Sequence, residues 1–266
     1  MSSHQESKTD LKKITTRTIR SKKGKEKITS LTAYDYPTAS WCDEAHLDLI
    51  LVGDSLGNVI YGEKSTLPVT MDMMLAHTRA VSRGVKHALL IADMPFLSYQ
   101  TSIPEAIHNA GRFLKEAGAE GVKLEGGAEM EDTILAITRA GIPVMAHIGL
   151  TPQSVHAMGG YRTQGKTPSE RDVLMNSAKA VERAGAFCVV LECVEETLAK
   201  EITEALSIPT IGIGSGNSCD GQILVLHDLL GLTEGHAPKF VRPTGAFRGP
   251  IIESIKAYAN RTREGV

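Results

Sequence analysis

The 266-residue chain is 42% hydrophobic and 23% charged, with a formal net charge of −2 and a pI near 6.5. This balance suits one large α/β domain or two small ones, with a core that needs no disulfide support. Nothing in it suggests a nucleic-acid or membrane surface, and no apolar run reaches transmembrane length.

Residues 1–27 carry nine Lys/Arg against three Asp/Glu and lack the apolar stretch of a secretory signal. Residues 1–15 are read as a basic, flexible N-terminal tail, with an organellar transit peptide as the alternative. Residues 16–266 are read as a single catalytic domain. Short apolar runs then predict strands at Ile28–Ala33, Leu49–Gly53, Ala88–Ala92, Gly121–Leu124, Pro143–Ala146, Phe187–Leu191, Thr210–Ile213 and Lys239–Val241. Between them lie segments of 3.6-residue periodicity. Ser102-Ile103-Pro104-Glu105 and Thr167-Pro168-Ser169-Glu170 read as capping boxes with Pro in the first turn, and Gly84, Gly118, Gly141 and Gly185 read as helix stops. One unit recurs: Glu116-Ala117-Gly118-Ala119, Arg139-Ala140-Gly141-Ile142 and Arg183-Ala184-Gly185-Ala186 each join a helix end to a strand start. Eight strands with eight helices predict an α/β fold, a (β/α)8 TIM barrel. The alternative, a doubly wound open sheet, places its ligand at one switch point near a Gly-rich first turn, and no such turn follows the first strand. Cys42, Cys188, Cys193 and Cys219 form no Cys-x-x-Cys pair and read as reduced thiols of a cytoplasmic protein.

Four of the apolar runs end in a carboxylate: Leu49-Ile50-Leu51-Val52-Gly53-Asp54, Leu89-Leu90-Ile91-Ala92-Asp93, Gly121-Val122-Lys123-Leu124-Glu125 and Val189-Val190-Leu191-Glu192. In a closed parallel sheet these acids meet at one end, where they repel one another unless a cation, a proton or a basic side chain intervenes. Lys123 and Glu125 are two apart and share a strand face, whereas Val122 and Leu124 face the helices. A simple ion pair closing the barrel is the plainer reading of that couple. Asp54 and Asp93 follow adjacent strands and, with Glu125, suit a hard divalent cation such as Mg²⁺. A helix cap or turn in Gly-Asp-Ser is the plainer reading of Asp54. No His/Cys cluster has zinc-like spacing. His147 ends the fifth run, as a structural residue or part of the site, while His77 and His108 fall in predicted helices. Glu192, separated from the Asp54/Asp93 pair by two intervening strands, is placed to act as a base, or else is an inert hydrogen-bonded acid. Ile211-Gly212-Ile213-Gly214-Ser215-Gly216 matches neither the P-loop nor the dinucleotide fingerprint, yet after a seventh barrel strand it suits an anion or close ligand approach. Residues 159–166, in the long connection after His147, read as a lid or a plain surface loop.

Taken together these stretches resemble the ketopantoate hydroxymethyltransferase family. The resemblance runs from about Thr16 to the C-terminal helix. It is carried by Leu31-Thr32-Ala33-Tyr34-Asp35-Tyr36-Pro37, Val52-Gly53-Asp54-Ser55-Leu56-Gly57, Leu67-Pro68-Val69-Thr70-Met71-Asp72 and Ala92-Asp93-Met94-Pro95-Phe96. Val122-Lys123-Leu124-Glu125-Gly126-Gly127, His147-Ile148-Gly149-Leu150-Thr151-Pro152-Gln153 and Cys219-Asp220-Gly221-Gln222 complete it. It implies transfer of a one-carbon unit from 5,10-methylenetetrahydrofolate to 3-methyl-2-oxobutanoate, giving 2-dehydropantoate in pantothenate biosynthesis, by a homodecamer of two five-membered rings. It implies Mg²⁺ on Asp54, Asp93 and Glu125, with Asp54, Ser55, Asp93, Lys123 and His147 at the substrate and Glu192 as catalytic base. The chain departs from the family pattern at Ser215 and Asn217, and after Pro238 with Thr244-Gly245-Ala246-Phe247.

Two other readings compete. A Mg²⁺-dependent lyase or mutase of the phosphoenolpyruvate mutase and isocitrate lyase type often uses a Lys-Lys-Cys-Gly-His-like loop, which the chain lacks. A non-catalytic ring scaffold predicts broken ligands, yet all four acids and Lys123 are present.

Overall fold

The structure is a computed structural model, and it describes residues 12–235 and 238–265. Most of the basic tail, residues 1–11, therefore lies outside the described residues. Strands β1 (Ile28–Thr32), β2 (Leu49–Val52), β3 (Leu89–Asp93), β4 (Gly121–Glu125), β5 (Val144–Gly149), β6 (Cys188–Glu192), β7 (Thr210–Ile213) and β8 (Gly221–Leu224) close into one barrel in chain order. Every neighbouring pair is parallel, including β1 with β8.

The helices are α1 (Thr16–Ser21), α2 (Tyr36–Glu44), α3 (Leu56–Val59), α4 (Met71–Ser82), α5 (Ile103–Ala117), α6 (Glu131–Arg139), α7 (Pro168–Arg183), α8 (Glu196–Ala205), α9 (Leu226–Leu229) and α10 (Arg248–Glu264). Local chemistry sets their ends. Thr167 and Glu170 form the full capping box that starts α7. Ser102 caps α5, but Glu105 turns its carboxylate to the Thr101 hydroxyl instead of back to the cap. Gly118 ends α5 at φ +78, a left-handed conformation open to glycine.

The alternation of each strand sorts its side chains into two cores. Ile50, Val52, Leu90, Ala92, Val122, Leu124, Ala146, Val189 and Leu191 pack outward against the helices. Leu49, Leu51, Leu89, Ile91, Met145, Cys188 and Val190 pack inward around the axis. The inward rows of β3, β4, β5 and β6 then continue, two residues on, into Asp93, Lys123 with Glu125, His147 and Glu192.

Two features differ from the sequence reading. The eighth strand is Gly221–Leu224, and Lys239–Val241 is instead a turn and its exit over the barrel mouth. Nor does a helix join β7 to β8. The true strand is disguised by its chemistry. A Cβ on Gly221 would stand 2.6 Å from the Ile28 carbonyl oxygen, so β8 approaches β1 too closely for a side chain. Gln222 is exposed and donates from Nε2 to the Gly216 carbonyl at 2.9 Å. Glycine and glutamine together read as a turn.

The second feature is α1, which closes the opposite end of the barrel. Ile19 is fully buried in the inner core with Ile28, Leu49 and Leu89, which begin their strands. The chain entering α1 is also tied down, with Ile14 donating to the His87 carbonyl at 2.8 Å and Lys13 to that of Ala88 at 2.5 Å. Ile19→Ala is expected to cost about 2–5 kcal/mol of stability by the transfer and cavity terms of a buried aliphatic side chain. Urea unfolding measures this, and a loss under about 1 kcal/mol would show that α1 is not part of the core.

Candidate active site

The C-terminal ends of the strands enclose a cavity of about 170 Å³. Asp54, Ser55, Asp93, Lys123, Glu125, His147 and Glu192 all line it, so every residue singled out for chemistry reaches one site. Strand register explains the juxtaposition: Asp93 pairs with Lys123, Glu125 with His147, and Glu192 with Gly149.

Lys123 is the buried hub. Its Nζ stands 3.0 Å from Asp93 Oδ1 and 3.1 Å from His147 Nδ1. The ammonium only donates, so His147 Nδ1 must accept, and the ring proton sits on Nε2. That nitrogen lies 3.2 Å from Glu192 Oε2. Asp93, Lys123, His147 and Glu192 thus form a chain across the mouth. Glu125 adjoins it, with Oε1 3.6 Å from His147 Nδ1.

Asp54 lies in the turn after β2. Its backbone N–H donates to Asp93 Oδ2 at 3.2 Å, and its Oδ2 accepts from Gln153 Nε2 at 2.9 Å. The helix-cap reading of Asp54 fails, because Ser55 is the N-cap residue of α3 and makes no side-chain cap bond. Ser55 Oγ instead pairs with Tyr34 Oη at 2.8 Å.

Burial governs the charge states. It pushes the Asp93 carboxyl up to about 8, with Lys123 opposing and Asp54 reinforcing the shift. Burial likewise lifts Glu125 well above the carboxylate range, again against Lys123. Burial alone would lower Lys123, but Asp93, Glu125 and Asp54 more than offset it, and its ammonium is held above the usual value. Burial, then the Lys123 charge, lowers His147 and keeps it neutral.

Four carboxyl groups face one ammonium. Asp93 Oδ1 is buried and makes no hydrogen bond, although the Lys123 ammonium stands 3.0 Å away. Among the described residues no group of three His, Cys, Asp or Glu side chains is placed to hold a metal ion by itself. Mg²⁺ needs only one or two protein carboxylates and completes its shell with water and substrate oxygens. Asp54 and Asp93, with Glu125 beside them, fit such an ion in donor chemistry and charge.

Glycine 149, at φ +100, lets β5 and β6 approach: a Cβ there would fall 2.3 Å from the Glu192 carbonyl oxygen. Behind Glu192, the buried Ser215 hydroxyl donates to the Leu191 carbonyl at 2.7 Å and accepts from the Val194 N–H at 2.9 Å. The Gly-rich loop is therefore no open anion cradle. Its serine braces the end of β6, Phe240 crowds Gly214, and the Glu196 carboxylate crowds Gly216. In residues 159–166, Gly159 and Gly160 have positive φ and open space around them, and Tyr161, 64% exposed, lines the cavity mouth. Gln164 anchors the far end of the segment, donating to the Cys193 carbonyl at 2.8 Å.

Sequence reasoning missed Gln153, Tyr99 and Asp228. The first two join the carboxylate network, and Asp228 lines the far wall of the cavity. All three sit outside strands, where no periodicity marks an inward residue.

Residues 13–266 match the family model described as ketopantoate hydroxymethyltransferase. Three relatives bear the name 3-methyl-2-oxobutanoate hydroxymethyltransferase. The protein from Syntrophus aciditrophicus is 54% identical over 96% of this chain and 94% of its own length. Those from Geobacter metallireducens and Staphylothermus marinus are 57% identical over 90% of both chains, and 54% identical over 96% and 94%. Among solved structures, phosphonopyruvate hydrolase in complex with oxalate and Mg²⁺ is similar at a TM-score of 0.64 and 15% identity, over 94% of this chain and 87% of that one. The 2,3-dimethylmalate lyase structure is similar at 0.61 and 16%, over 94% and 88%. At that identity the likeness is one of fold alone. With the barrel, the acid-lined mouth and the match over residues 13–266, this chain belongs to the ketopantoate hydroxymethyltransferase family.

Proposed function

We propose that the protein transfers a hydroxymethyl group from 5,10-methylenetetrahydrofolate to 3-methyl-2-oxobutanoate, giving 2-dehydropantoate, as a cytoplasmic homodecamer that uses Mg²⁺. The observation that carries the reading is the run Asp93–Lys123–His147–Glu192, which sets a base opposite a cluster of acids across one small cavity.

Asp54 and Asp93, with Glu125, would hold the ion. When bound, it supplies a Lewis acid for the carboxylate and keto oxygens of the oxo acid, which makes the proton on C3 acidic. The Lys123 ammonium and the Ser55 hydroxyl bind and orient the oxo-acid carboxylate. Glu192 takes the C3 proton. His147 Nε2 lies 3.2 Å from Glu192 Oε2, so the neutral imidazole stands against the carboxylate and helps aim it. The methylene carbon then leaves the two folate nitrogens and bonds to C3, with water supplying its hydroxyl and the nitrogens taking up the C3 proton and the remaining water proton. Tyr161 and the turn at Phe240 stand at the mouth, placed to limit the entry of water. The lyase or mutase reading rests only on a likeness of fold, whereas the family match covers nearly the whole chain.

Glu192→Gln is expected to bind Mg²⁺ and the oxo acid but to lose deuterium exchange at C3 by about 10²–10⁴-fold, the usual contribution of a positioned base. NMR follows the exchange, and a wild-type rate in the variant would remove Glu192 from that role.

The raised carboxyls give a second expectation. A carboxyl whose folded-state pKa is raised favours folding while protonated, and that stabilisation is lost as pH climbs from its unfolded value of about 3.9 towards about 8 for Asp93. Mg²⁺ replaces those protons, so the rise in Tm that it causes is expected to grow between about pH 6 and pH 8.5. Calorimetry with and without Mg²⁺ checks this, and a pH-independent increment would contradict the assignment of the ion to these acids.

A further inference from the structure

We infer that Gln153 is a positioning residue, one that sets two of the cavity acids in place for the divalent ion. The inference rests on the assignment of Asp54, Asp93 and Glu125 to that ion and deepens it.

Gln153 follows β5 in the short 3-10 turn Pro152–Ser154 and is only 3% exposed. Every polar atom of its amide is engaged. Nε2 donates to Asp54 Oδ2 at 2.9 Å and to the Met94 carbonyl at 2.9 Å. Oε1 accepts from Tyr99 Oη at 2.8 Å and from Gln100 Nε2 at 3.3 Å. Its backbone N–H donates to Glu125 Oε2 at 3.0 Å. One residue thereby grips acids from two separate strand ends, those of β2 and β4.

The amide orientation is fixed by its partners. The Met94 carbonyl and the Asp54 carboxylate only accept, so a flipped amide would set oxygen against oxygen. Tyr99 reinforces the arrangement. Its hydroxyl accepts from the Glu125 N–H at 3.1 Å and gives its one proton to Gln153, so the same ring ties the backbone of Glu125 to the amide that holds Asp54.

The choice of residue type matters. Gln153 occupies one oxygen of Asp54 and one of Glu125 and leaves the other of each uncommitted by it. An amide donates without cancelling charge, whereas Lys or Arg at this place would neutralise the acids and compete with a cation. A neutral donor therefore orients the carboxylates and preserves the charge that attracts the ion. Partners of this kind typically change metal affinity by about 10–100-fold when removed.

The test is calorimetric titration of MgCl₂ into the metal-free full-length protein, with unfolding followed in parallel. Gln153→Met keeps the size of the side chain and removes its four side-chain hydrogen bonds. It is expected to raise the Mg²⁺ Kd by about 10–100-fold. Tyr99→Phe, which keeps the ring, is expected to raise it by a smaller factor. A residue that merely stiffened the loop would lower Tm and leave the Mg²⁺ Kd alone. Asp93→Asn separates the two levels of the inference. If it abolishes Mg²⁺ binding while Gln153→Met binds within about twofold of wild type, the positioning role is overturned and the ion assignment stands. If Asp93→Asn binds like wild type, the ion assignment falls and this inference with it. Should Gln153→Met fail to fold, Tyr99→Phe decides by the same titration, and an unchanged Kd overturns the proposal.

Discussion

Like charges packed at the buried end of a barrel repel, and the architecture of this protein is arranged around that repulsion. Asp54, Asp93 and Glu125 are almost wholly buried within reach of one another, with a single ammonium among them. Burial weakens the screening that water gives, so protons, Lys123 or a divalent ion must relieve most of the repulsion. Burial, reinforced by the neighbouring acids, raises the Asp93 and Glu125 carboxyls, and those acids in turn hold the Lys123 ammonium above its usual value. In the proposed reaction the excess charge is what attracts the ion, and the ion in turn admits an anionic substrate.

Strand parity delivers the crowd. Once β3, β4, β5 and β6 are parallel neighbours, their inward residues continue from Ile91, Met145 and Val190 into Asp93, His147 and Glu192. The same alternation seats Lys123 and Glu125 on one face and sends Val122 and Leu124 to the helices. The closed mouth is completed by pieces that are not strands. These include the turn holding Asp54, the Gln153 loop, the Ser215 brace and the turn at Phe240.

This division explains what was readable in the residues. Asp93, Lys123, Glu125, His147 and Glu192 end apolar strands, and period-two reasoning finds such residues without a structure. Gly221 and Gln222 hide β8, because close packing against β1 calls for a residue that sequence reading assigns to turns. Ile19 looks like part of a polar segment, since its burial depends on a barrel end made by distant strands. Gln153 and Tyr99 are polar residues in loops, and only the folded chain shows that their partners are buried acids. The Gly-rich loop misled for a related reason. Its glycines give room to Phe240 and Glu196, neighbours that local sequence does not reveal.

The central claim is that this mouth enolises an oxo acid by itself, before any folate is present. It is tested most directly on the wild-type protein, by following deuterium exchange at C3 of 3-methyl-2-oxobutanoate with and without Mg²⁺ and with no folate added. Exchange that requires both protein and Mg²⁺ is the expected result. No exchange above the protein-free rate, or exchange indifferent to Mg²⁺, would contradict the account.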